Sequence, residues 1–266
     1  MSAITPWYAA AMKLALGLAL LLTGCIDRID EGTISAASSS PPLDLDGTPD
    51  LLVREDILSK KWTLDTIDLA EGSCEQIEGN ITPGTHQVVR FAVGTANIGD
   101  ADLFIGDPND PANADLFEFA DCHHHFHFRN YALYELVDPA SGTTWRAAKR
   151  GFCMIDIEKN PKELGAPDRP RVFDACGAVG VPGFQGISHG WTDTYGTYLP
   201  GQYFVLDGGD GQPLVPPGTY QLRITANPPF KATGNEPCPH VDANKQCHML
   251  PESNYDNNVT QVTVTL

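Results

Sequence analysis

Alternation of apolar and polar residues, with a period of two, dominates the second half of the chain. Thr219 to Thr225 reads Thr-Tyr-Gln-Leu-Arg-Ile-Thr, and Val259 to Thr265 reads Val-Thr-Gln-Val-Thr-Val-Thr. Each places its large apolar side chains on one face of an extended strand. Gln87 to Val93 is β-rich, Phe126 to Val137 alternates loosely and is rich in aromatics, and Tyr203 to Leu206 is a short apolar run. Gly and Pro clusters, such as Asp207 to Gly211 and Pro216-Pro217-Gly218, punctuate these runs and predict turns between strands. No stretch carries a long 3.6-residue apolar period, and no internal repeat is present. The pattern predicts a mainly β fold: a single sandwich-like domain with long loops, spanning 49–266. Loops on such a scaffold are where binding and catalytic groups sit.

The N-terminus follows a different pattern. Lys13 precedes an apolar run, Leu14 to Leu22, which ends in Leu22-Thr23-Gly24-Cys25. A charged start, a short apolar stretch and small residues before a cleavage point describe a signal peptide over 1–24. Leu-Thr-Gly-Cys resembles a bacterial lipobox, whose cysteine becomes the acylated first residue. Residues 25–48, with Ser38-Ser39-Ser40, Pro41-Pro42 and scattered Asp, then read as a lipidated Cys25 and a flexible tether. The expectation is an exported protein held at the cell envelope through Cys25, or secreted if Cys25 is not acylated.

Composition sharpens this. The chain carries a net charge of −17 over 266 residues. That excess disfavours nucleic acid as a partner and attracts cations. Six further cysteines, Cys74, Cys122, Cys153, Cys176, Cys238 and Cys247, form an even set that predicts disulfides in an oxidising compartment. Spacing suggests one local pair, Cys238 with Cys247, closing a short polar loop.

The sharpest chemical signal is Cys122-His123-His124-His125-Phe126-His127-Phe128, where four of the eight histidines fall within five residues. On a strand, His123, His125 and His127 share a face, while His124, Phe126 and Phe128 point away. Three neutral imidazoles with open positions suit Cu(II) or Zn(II), and spacing alone does not separate the two.

At these residues the chain resembles the lysyl oxidase family, which carries a Cys-His-x-His-x-His copper motif. The resemblance extends in order through Ala148-Lys149-Arg150-Gly151-Phe152-Cys153, Gln185 to Gly196, Pro217 to Tyr220, Asn227-Pro228 and Pro251 to Asn258. Pro49-Asp50-Leu51 and Val89-Arg90-Phe91 match upstream. It implies a copper amine oxidase that takes primary amines, including lysine in proteins, to aldehydes. O₂ is consumed, and H₂O₂ and ammonia are released. It implies His123, His125 and His127 as copper ligands, and a lysine tyrosylquinone cofactor built from Lys149 and Tyr195. Asp193 is either the proton-abstracting base or a turn residue. Without the resemblance, Lys149 reads as a solvated basic edge and Tyr195 as an ordinary buried aromatic.

The resemblance also implies a Cys122–Cys176 disulfide, which leaves Cys74 with Cys153. It further implies a calcium site joining the ends of the domain, through Asp50, the Leu51 carbonyl, Glu252, Asn254, Asn257 and Asn258. Asn254 stands where the family has an aspartate. The animal enzymes have a further histidine after the triad, where this chain runs Leu133-Tyr134-Glu135-Leu136-Val137-Asp138. The alternative function is a non-catalytic metal-binding surface lipoprotein. Lys149 and Tyr195 discriminate the two, since a metal-binding module needs neither.

Overall fold

The computed structural model describes residues 42–165, 169–233 and 238–266. The expected signal peptide and Cys25 lie outside the described residues, as does most of the expected tether. The architecture of the described residues is mainly β, built of several antiparallel sheets that form no barrel among them. The two best-alternating segments become neighbours. Thr219–Ala226 pairs with Val259–Thr265 so that Tyr220 faces Val264 and Leu222 faces Val262. Ala132–Val137 and Thr144–Arg146 complete this four-stranded sheet. Tyr220, Leu222, Ile224, Val262 and Val264 turn inward, while the intervening polar positions stay largely solvated.

A second four-stranded sheet carries the site. Its order is Leu51–Val53, Val93–Asn97, Trp191–Tyr195 and Glu158–Lys159. A third sheet holds Tyr203–Val205, Gly84–Phe91 and Trp62–Leu69. The β-rich run at 87–93 is thus two strands, broken at Ala92 where the chain leaves one sheet for another. One apolar cluster draws Phe91 and Phe204, Val93 and Tyr195, and Leu136 and Leu222 from the three sheets into a common core.

The run 126–137 is likewise two strands. His125–Phe128 pairs with Phe117–Ala120, and the break before Ala132–Val137 falls at Asn130, which adopts φ 60°. Among the described residues, two short α-helices and two 3-10 turns interrupt the strands. One of them, Cys74–Gly79, carries no periodic sequence signal; Ser73 caps it by accepting from the Gln76 N–H at 3.3 Å.

Ordered contacts begin ahead of residue 49. The Asp44 N–H donates to Asp102 Oδ2 at 2.9 Å, and the Thr48 N–H donates to Asp100 Oδ1 at 2.7 Å. Asp44 and Thr48, which fall in the stretch expected to be a flexible tether, are therefore bonded to the domain.

The disulfides correct two expectations. Cys238 pairs with Cys247 as the spacing suggested. Cys122, however, pairs with Cys74 and not with Cys176, and Cys153 pairs with Cys176 and not with Cys74. The cause is local. The turn before the histidines faces helix Cys74–Gly79, bringing the Cα atoms of Cys74 and Cys122 to 5.6 Å. Gln185 clamps the other two segments together. Its Oε1 accepts from the Met154 N–H at 3.1 Å, and its Nε2 donates to the Cys176 carbonyl at 2.9 Å.

Candidate active site

Only two of the three expected ligands lie on a strand. His123 sits in the turn that precedes it, where the Ala120 carbonyl accepts from the N–H groups of both His123 and His124, at 3.0 and 2.8 Å. His124 takes a left-handed backbone, φ 56°, and points to solvent. The turn still brings the His123 ring back over the other two. Ring centroids of His123, His125 and His127 stand 4.9 to 5.8 Å apart.

Their nitrogens are prepared for a cation. His125 Nδ1 lies 3.0 Å from the His123 carbonyl, which fixes the proton there and leaves the lone pair on Nε2, turned toward His127. His125 Nε2 and His127 Nε2 are 3.2 Å apart. Burial pushes the His127 imidazole down to about 3 and lowers His125 as well, so both are neutral at ordinary pH. His127 fits only because residue 151 is glycine: a Cβ there would fall on the imidazole ring.

Among the described residues, no group of three or more His, Cys, Asp or Glu side chains is already gathered into an arrangement that could hold a metal ion. The residues present nonetheless fit a copper ion in donor type, and His125 and His127 fit it in the spacing of their nitrogens. Two nitrogens each ~2.0–2.1 Å from one ion are ~2.9 Å apart at a right angle and ~3.3 Å apart at a tetrahedral angle.

Lys149 enters the same cleft. Its backbone is fixed by its neighbour Ala148, whose N–H donates to the Tyr203 carbonyl at 2.9 Å. Lys149 Nζ lies 5.3 Å from the Tyr195 ring centroid and 5.4 Å from that of Phe152. Burial pushes the ammonium down to about 8, although Glu78 and Asp193 oppose the shift. Tyr195 comes from strand Trp191–Tyr195, in register with Val93, and is 6% exposed. Its hydroxyl donates to the Cys153 carbonyl at 2.7 Å, and Phe152 meets its ring edge-on. The phenol is held well above its ordinary range by burial.

Asp193 lies on the same strand two residues earlier, hence on the same face. It is 1% exposed, and burial pushes its carboxyl well above the usual range. It is no turn residue: it pairs with Thr95 in mid-sheet. The three histidines, Lys149, Asp193 and Tyr195 line one cleft of about 230 Å³. Ile155, Ile157 and Leu199 give it apolar walls, and Tyr198 stands at its edge, 82% exposed.

Sequence reasoning missed Glu78. Its Oε2 lies 2.9 Å from His123 Nε2. Only the Cys74–Cys122 pairing would have pointed to it.

The expected calcium positions divide. Glu252 is buried, and its carboxylate accepts from the Leu51 N–H at 2.8 Å, Asn227 Nδ2 at 2.6 Å and Asn258 Nδ2 at 2.8 Å. Asn257 Nδ2 donates to Asp50 Oδ1 at 2.9 Å. Asp50, Leu51, Glu252, Asn257 and Asn258 are thus brought together. Asn254 is not: it is exposed, and its Oδ1 accepts from the Asp256 N–H in a local turn. The amide oxygens of Asn257 and Asn258 are buried without partners, and burial pushes Glu252 up to about 7. Buried oxygens lacking donors suit a hard cation.

Comparison with curated proteins finds no match. The lysyl oxidase family model matches residues 68–237, more than half of the chain, and its span includes the histidines, Lys149, Asp193 and Tyr195. With that match laid over this cleft, the chain belongs to the lysyl oxidase family.

Proposed function

We propose that the protein is a copper- and quinone-dependent oxidase of primary amines, peptidyl lysine among them. A lysyl oxidase domain supports amine-oxidase-type oxidoreduction in general. The finer reading rests on one observation: the Lys149 amine lies over the Tyr195 ring, 5.3 Å from its centroid, in the cleft the histidines line. A metal-binding lipoprotein has no use for that pair. His123, His125 and His127 would hold copper, and Lys149 and Tyr195 would form lysine tyrosylquinone. Together these supply an electron sink that takes an amine and water to an aldehyde and ammonia, while O₂ becomes H₂O₂.

The chain's own residues account for the rest. Lys149 offers a neutral amine at pH values where a solvated lysine is charged. Phe152 and the Cys153 carbonyl fix the plane and the hydroxyl of Tyr195, so the ring keeps one orientation toward the amine. Asp193, with its carboxyl raised by burial, is a stronger proton acceptor once ionised than a solvated carboxylate. It faces the cleft where the α-carbon of a bound amine would lie. The apolar walls take an aliphatic chain such as that of lysine. The acidic protein draws cationic substrates toward it.

In the same reading, Asp50, Glu252, Asn257 and Asn258 hold a structural Ca²⁺. Acylated Cys25 keeps the enzyme at the cell envelope. Labelling by a clickable fatty acid, lost in Cys25→Ala, tests the anchor.

The central test is peptide mass spectrometry of copper-matured protein, together with a redox-cycling quinone stain. The expected result is a Lys149–Tyr195 cross-link, absent from Lys149→Arg, Tyr195→Phe and copper-free protein. Recovery of both residues unmodified from a fully active preparation would exclude the mechanism.

A further inference from the structure

Glu78 belongs to neither the histidine motif nor the lysine–tyrosine pair, and yet three constraints converge on it. Helix Cys74–Gly79 is stapled by Cys74–Cys122 to the residue immediately before His123. Its far end stops at Asn80, which takes a left-handed backbone at φ 54°. Gly79 at that end packs so closely that a Cβ would meet the Ile81 side chain at 3.1 Å and Ala148 Cβ at 3.5 Å. The helix is therefore wedged between the histidine turn and the neighbour of Lys149. Its last carboxylate, half-buried, reaches the His123 ring.

Two pairwise distances equal those between neighbouring ligands on one ion. Glu78 Oε2 and His123 Nε2 are 2.9 Å apart, and His125 Nε2 and His127 Nε2 are 3.2 Å apart. Both match the ~2.9–3.3 Å expected between adjacent donors each ~2.0–2.1 Å from a metal. Three imidazole nitrogens and one carboxylate oxygen also form a mixed N,O set of the kind that suits tetragonal Cu(II). One negative charge would offset half of the ion's charge in a half-buried site.

We infer that Glu78 is a fourth protein ligand of the copper ion, delivered by helix Cys74–Gly79 and the Cys74–Cys122 disulfide. This rests on the copper reading above and adds a carboxylate to the three-histidine site.

The test loads full-length protein with Cu(II) and measures affinity by chelator competition and the frozen-solution EPR spectrum. Glu78→Gln should weaken binding at least ~10-fold, the lower end for disrupting groups around a metal site. It should also shift the parallel EPR parameters, and Glu78→Asp should recover part of both. Melting temperature and an intact Cys74–Cys122 bond confirm that each variant is folded. Unchanged affinity and spectrum in Glu78→Gln would overturn the inference. So would weaker binding with an unchanged spectrum, the mark of a carboxylate that only orients His123. Should wild-type protein take up no copper, or keep it after His125→Ala and His127→Ala, the copper reading itself falls. That result is distinct from any involving Glu78 alone.

Discussion

Lys149 offers the sharpest quantitative test, because its chemistry depends on one proton. Burial between Phe152 and Tyr195 pushes the ammonium from its ordinary 10.5 down to about 8. At pH 7 the neutral amine is then ~10% of the population, against ~0.03% for a solvated lysine, a gain of ~300-fold in nucleophile. The perturbation is pH itself. Copper-free protein with ¹³C-labelled lysine is titrated by NMR, and the Lys149 Cε resonance is assigned by its loss in Lys149→Arg. Its midpoint should lie near 8. The rate of quinone formation after copper addition should rise through the same midpoint and then level. Linkage gives a second reading. The folded group binds its proton more weakly than the unfolded one, so stability should increase as pH rises from about 8 toward 10.5. A Lys149 resonance titrating above pH 10 would refute the burial argument.

Three further outcomes follow from other parts of the structure. Gly151→Ala should push a methyl group into the His127 ring, cost about 1–3 kcal/mol by overpacking, and sharply lower copper retention; isothermal titration with Cu(II) checks it, and unaltered binding would contradict the fit. Glu252, raised from 4.5 to about 7, should make calcium-free protein less stable as pH climbs through that window, by about 3 kcal/mol at most. Added Ca²⁺ should reverse the loss at pH 7.5, and a melting temperature indifferent to both pH and Ca²⁺ would argue against the site. Non-reducing peptide mapping should recover Cys74–Cys122 and Cys153–Cys176, and removing the latter should cost about 2–5 kcal/mol; a Cys122–Cys176 peptide would restore the pairing implied by the family.

What the sequence disclosed depended on how local the signal was. Thr219–Ala226 and Val259–Thr265 were legible because each strand alternates within itself, and their pairing follows from the same inward faces. Lys149, Tyr195 and the histidines were legible as motifs, and they line one cleft. The position of His123 was not, because a left-handed His124 makes the strand begin at His125, two residues after the alternation would start it. The disulfides were misread for a related reason. Their pairing is set by the Gln185 clamp and by a short helix without apolar periodicity, both contacts between distant segments. Glu78 was hidden behind that helix. Asp193 was left open between base and turn, and its place in mid-sheet beside Thr95 removes the turn.

The joined ends of the domain have a mechanical consequence. A pull on the chain ahead of Asp44 meets Asp44 and Thr48 first, hydrogen-bonded to Asp102 and Asp100. It next meets Asp50 and Leu51, bonded to Asn257 and Glu252. Leu51 is already the first residue of the edge strand Leu51–Val53, two strands away from Tyr195 in the same sheet. These bonds would act as a strain relief: a pull on the chain ahead of Asp44 would shear polar contacts at the rim before the sheet that carries Tyr195 took load.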